Sequence, residues 1–178
     1  TLQTVVAVGL SLLVFRLVLP LAARNERGRY GRHIRGELRG LCGMPLPPSP
    51  RWWSGASVDR IGRLVRHAAQ TSDHTAAGDI RQTLLLSAVG LNILLLRQLK
   101  REQRHEASQT LTLLMRALAR YRPISRRGIA MISVARRRVL LMLRQEPDNL
   151  WLLRVLGCLD GIGRAASDCV TENRTSQE

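Results

Sequence analysis

Apolar residues fill the first stretch of the chain almost without a break, and after it they return only at helical intervals. Thr1–Ala23 reads TLQTVVAVGLSLLVFRLVLPLAA, and Arg16 is its one charge. A hydrocarbon core of roughly 30 Å takes about 20 helical residues, which Thr4–Ala23 supplies. A cation near the end of such a span can snorkel to the headgroups. The chain does not begin with Met, so the span is expected to start upstream of Thr1, with Arg16 near the inner interface. Two other readings compete: a buried core helix and a secretory signal. A signal carries its positive charge before the apolar region and a small-residue cleavage site after it. Here the charge comes after, and a membrane helix is the reading adopted.

From Arg24 to Leu41, Arg24, Arg27, Arg35 and Arg39 recur at helical spacing, while Ile34, Leu38 and Leu41 make a thin apolar stripe. This is either a juxtamembrane helix gripping anionic lipid, at about 1 kcal/mol per Arg, or a topology signal that holds this end inside. GMPLPPSP (residues 43–50) places four prolines in eight residues and reads as a stiff linker. Trp52 and Trp53 behind it either sit at headgroup level or pack the start of the next helix.

Ser57 suits an N-cap for a helix to about Gln70, with Val58, Ile61, Leu64 and Val65 as its apolar face. After a loop in which Asp73 or Thr75 can cap, a long helix runs from about Ala76 to Glu106. Its stripe is Ile80, Leu84, Ala88, Leu91, Leu95 and Leu99. Its middle, Thr83–Leu96, is apolar nearly all round, which suits the centre of a bundle better than a second span. Ser108–Tyr121 turns Leu111, Leu114, Met115 and Leu118 inward, and Ser125–Arg144 turns Ile129, Ile132, Leu140 and Leu143. Asp148 is expected to cap a last helix whose core face is Leu150, Leu153, Leu156 and Leu159. No strand pattern appears. The expected fold class is all-α: a membrane-spanning helix (1–23), a basic juxtamembrane helix (24–44), a Pro-rich linker (45–56), a cytoplasmic antiparallel bundle (57–167) and a flexible tail (168–178).

Composition agrees with helix, since Leu, Ala and Arg dominate the 178 residues and aromatics are few. The net charge of +15 rests on Arg, with Lys100 the sole lysine. That excess suits the anionic inner leaflet of a membrane, or nucleic acid. No helix-turn-helix, zinc finger or stacking platform supports nucleic acid, and the Arg residues are spread over every helix. Cys42, Cys158 and Cys169 form neither a disulfide framework nor a CxxC pair, so reduced thiols are expected. His33, His67, His74 and His105 lack metal spacing, and no P-loop, GxGxxG or GxSxG occurs. An enzyme is not expected, nor any cofactor or metal.

Three stretches carry a family likeness. Val14-Phe15-Arg16-Leu17 runs into the Arg-rich helix; SVDRIGRLV (residues 57–65) holds an Asp-Arg-aliphatic-Gly step; and IRQTLLLSAVGLNILLLRQ (residues 80–98) sets Gly90, Leu91 and Asn92 in one helix. In this order they resemble the fusaric acid resistance family of inner-membrane proteins, which includes aromatic carboxylic acid exporters. The likeness extends to about Arg101. It implies the C-terminal portion of a bacterial inner-membrane efflux transporter for small aromatic acids or related toxic compounds. Its cytoplasmic helical domain would brace and assemble the transporter and do no chemistry. Implied partners are the anionic inner leaflet, a sister cytoplasmic domain or another protomer, and a periplasmic adaptor protein. The residues it singles out are Arg16, Asp59, Arg60, Arg81 and Asn92. Each also has a plain alternative: Asp59-Arg60 as a surface pair worth under about 1 kcal/mol, Asn92 as a satisfied polar residue inside a bundle. The rival function is a membrane-anchored scaffold that binds lipid or a partner protein and transports nothing.

Overall fold

A computed structural model describes residues 32–71, 76–102 and 106–175. The expected span with Arg16, the first arginines of the basic helix (Arg24 and Arg27) and the expected caps Asp73 and Thr75 lie outside the described residues. Within them the chain is all helix: α1 over residues 32–43, α2 Pro50–Thr71, α3 Ala76–Glu102, α4 Glu106–Tyr121, α5 Arg126–Gln145 and α6 Leu150–Thr175.

The ends of these helices follow from local chemistry. Ser49 is the N-cap of α2: its hydroxyl accepts from the Trp52 N–H at 3.1 Å, and its carbonyl accepts from the Trp53 N–H. Pro50 then fills the first helical position, where its missing N–H costs nothing. The linker therefore ends at Ser49, not at residue 56, and Ser57 lies inside the helix it was expected to cap. Ser125 caps α5, accepting from the Gly128 N–H at 2.9 Å. Asn149, not Asp148, caps α6, since its side-chain oxygen accepts from the N–H groups of Trp151 and Leu152. The tail expected from residue 168 is helical to Thr175, and Cys169 is fully buried.

Helices α3, α4, α5 and α6 form a ring in which α3 packs on α6, α6 on α5, α5 on α4 and, more lightly, α4 on α3. Helix α2 lies against the outer side of α3. Trp151, at the start of α6, donates its indole N–H to the Leu99 carbonyl near the end of α3 at 3.0 Å, while Gly161 faces Asn92 further back. The two central helices are thus antiparallel. Helix α3 is the one described helix long and apolar enough to cross a bilayer. Its two long faces are taken by α2 and α6, as befits a core helix.

Several expected stripes are displaced. In α4, Leu111, Leu114, Met115 and Leu118 are all buried as the spacing requires. In α2 the buried line is Trp53, Ser57 and Leu64, while Val58 and Val65 face out. In α3 Leu84 is exposed, and Leu86, Val89, Ile93 and Leu96 are fully buried instead. In α6 Leu150 and Leu153 face out. The core side there carries Trp151, Leu152, Val155, the expected Leu159 and Ile162, with the smaller Cys158, Ala165, Ala166 and Cys169 among them. Small residues let α6 approach its neighbours closely, while Leu150 and Leu153 of its first turns are left on the outer face.

Candidate functional site

The basic helix is part of the bundle. Ile34, Leu38, Leu41 and Cys42 on α1 are buried in the common core, so the expected division between residues 24–44 and the bundle does not hold for residues 32–43. Polar contacts bind α1 at both ends. Glu37 pairs with Arg60 of α2 at 2.8 Å and with His33 at 3.1 Å. At the far end the guanidinium of Arg97, from α3, forks onto the carbonyls of Leu41 and Met44, and Arg101 donates to the Pro45 carbonyl at 3.3 Å. The last carbonyls of a helix have no partner within it. A planar fork of donors from another helix fills that role well.

The residues singled out from sequence separate into distinct roles. Arg60 is nearly buried, and besides pairing with Glu37 it lies over the Trp53 ring, 5.4 Å from the centroid. Its charge is used in joining α1 to α2. Asp59 points to solvent and pairs with Arg63 one turn on at 2.6 Å. The hydrogen bond from Arg63 holds its carboxyl below the usual range. Such an exposed pair within one helix contributes little. Arg81 is exposed on α3. Arg35 is half-buried on α1, and Arg39 donates through Nε to the Ala119 carbonyl at the end of α4 at 2.8 Å.

The Gly90-Leu91-Asn92 step serves two interfaces at once. On one side, a Cβ at Gly90 would lie 2.2 Å from the Trp53 ring. The missing side chain is what lets the indole lie flat on α3 and donate to the Ser87 carbonyl at 2.9 Å. On the other side Asn92 gives its amide N–H to the Ala88 carbonyl of its own helix at 2.9 Å. There it covers Gly161 of α6, where a Cβ would meet the amide at 2.9–3.0 Å. Both glycines are contact points between helices, and Asn92 is a satisfied residue in a seam.

Sequence reasoning missed a polar cavity among the described residues. About 550 Å³ in volume, it lies between the end of α1, the last turns of α3 and the middle of α4. Its cations are Arg97, Lys100, Arg101 and Arg116, and no carboxylate lines it. Burial, then the like charge of Arg101, lowers the pKa of Arg97. Cys42 forms part of the wall, and burial pushes its thiol up to about 12 despite the nearby Arg97. Only the run of cations Arg97, Lys100 and Arg101 on one helical face could have pointed to this place.

The Cys42 shift has a checkable sign. An unfolded thiol ionises near 9.0, whereas the folded one keeps its proton to about 12. Between those values the unfolded state binds fewer protons, so folding stability falls as pH rises. Melting temperature is expected to decline above pH 9, and Cys42→Ala to flatten part of that decline. At neutral pH all three buried thiols should react slowly with iodoacetamide until denaturant is added.

An all-helical, strongly basic bundle that follows an apolar segment of span length is the architecture of a membrane protein's helical domain. The sequence model of the Fusaric acid resistance protein family matches residues 1–168. The chain belongs to that family. Its members are membrane efflux proteins rather than enzymes, which gives the chain a general role in transport. No curated protein and no solved structure matches the chain.

Proposed function

We propose that the chain is the C-terminal part of an inner-membrane efflux transporter for small aromatic acids or related toxic compounds. Residues 32–175 form its cytoplasmic helical domain, which braces and assembles the transporter through a sister domain or a second protomer. The observation that carries this reading is the seating of α1. The helix that directly follows the apolar segment is built into the bundle by four buried apolar side chains, the Glu37–Arg60 pair and the Arg97 fork. Residues 32–43 are therefore fixed to the bundle. Membership of an efflux family speaks for transport over a scaffold that moves nothing.

In cells that depend on the full-length protein, deleting residues 45–178 is expected to abolish resistance to fusaric acid and benzoate, and Arg60→Ala to reduce it. Wild-type resistance from the deletion, with the protein present in the membrane at normal level, would refute the bracing role.

A further inference from the structure

The cavity between α1, α3 and α4 gathers four cations with no carboxylate in its lining. Two of them are held in place by the backbone: Arg97 by the carbonyls of Leu41 and Met44, Arg101 by that of Pro45. Lys100 and Arg116 form no ion pair among the described residues. Charges in the last turn of a helix often serve only its dipole, which would account for Lys100 and Arg101. It does not account for Arg116, which lies in the interior of α4 and lines the same cavity.

The walls narrow the ligand further. Cys42, Met115 and Ala119 give the cavity an apolar side, which an inorganic ion would leave unused. Its volume falls within the range of small-molecule sites, about 300–1,000 Å³. A monocarboxylate would neutralise one cation of the four. A phosphate ester brings up to two charges and several acceptor oxygens, enough to take an Arg fork and a Lys together.

We propose that this cavity is a binding site for a small organic phosphate, with Lys100 and Arg116 as its principal contacts and Arg97 and Arg101 as a fixed positive floor. The phosphate ester can come from a soluble metabolite or from a lipid headgroup.

Isothermal titration of the full chain in detergent micelles, at about 0.15 M salt, provides the test. Adenosine diphosphate represents the soluble source, short-chain phosphatidic acid the lipid source, and benzoate a monoanion. Lys100→Gln and Arg116→Gln should each weaken binding of the preferred phosphate about tenfold, the loss of one charge-assisted contact. Both should leave the melting temperature unchanged, and Arg137→Gln on the exposed face of α5 should leave affinity unchanged. Binding of adenosine diphosphate alone identifies a soluble ligand, and binding of phosphatidic acid alone a lipid. The proposal is overturned if neither phosphate binds, if benzoate binds as tightly, or if Arg137→Gln weakens binding as much as the cavity variants. Failure to bind either phosphate leaves the transport reading to its own experiment, whereas tight benzoate binding would overturn the phosphate site and favour that reading.

Discussion

Gly90→Ala is expected to lower the melting temperature of the bundle more than any other single-methyl addition along α3. The new Cβ would lie 2.2 Å from one carbon of the Trp53 ring and 2.4 Å from another, so the indole has to leave. Its departure breaks the hydrogen bond to the Ser87 carbonyl and the stacking under Arg60. Overpacking of this kind costs about 1–3 kcal/mol, and a lost buried hydrogen bond adds about 1 kcal/mol. At roughly 2–4 °C per kcal/mol for a chain of this size, thermal unfolding followed by circular dichroism should show a drop of about 4–16 °C. Trp53→Leu by itself should also destabilise, yet in the Gly90→Ala background it should cost far less, because the indole has already lost its contacts there. A double-mutant cycle with no coupling between the two positions would contradict this packing.

The second large effect is expected at Arg97. Arg97→Leu keeps an apolar stem but withdraws the donors from the Leu41 and Met44 carbonyls. Hydrogen bonds to charged groups are worth about 1.5–3 kcal/mol each, and partial access of these carbonyls to water makes a total of about 2–4 kcal/mol reasonable. The loss should be local. Amide exchange across α1 should quicken while α5 and α6 keep their protection, and limited proteolysis should cut within residues 44–49. Arg97→Lys, with a point charge in place of a fork, should fall between. Unchanged exchange across α1 would mean that its apolar face alone holds it.

Both predictions rest on contacts between positions far apart in sequence, and that distance marks the limit of what sequence alone reveals. The helical class was legible because no alternating pattern competes with the helical spacing. Helix α4 was read correctly because its apolar and polar sides are sharply divided. Helix α3 has leucines nearly all round, so its spacing gave no direction, and only the partners α2 and α6 decide that Leu84 faces out while Leu86 faces in. In α6 Leu159 is buried as expected, but Leu150 and Leu153 face out, because the first turns turn Trp151, Leu152 and Val155 inward instead. The start of α2 was missed because a run of prolines was read as a barrier, although Ser49-Pro50 is a good helix opening. The likeness around Gly90-Leu91-Asn92 pointed to a place of consequence but could not say that Trp53 and Gly161 lie on either side of it. The cationic cavity draws on three helices, and no local pattern brings Arg116 toward Lys100.

The fork on α1 also bears on the order in which the chain can mature. The donor that closes the last turn of α1 comes 56 residues later in the chain, and Trp53 of α2 needs the Ser87 carbonyl before its indole is satisfied. During synthesis, Ile34, Leu38 and Leu41 emerge before the later helices with which they share the core. For that interval the nascent chain presents sticky surface shortly after the apolar segment of residues 1–23, where a chaperone or insertion factor would have to shield it.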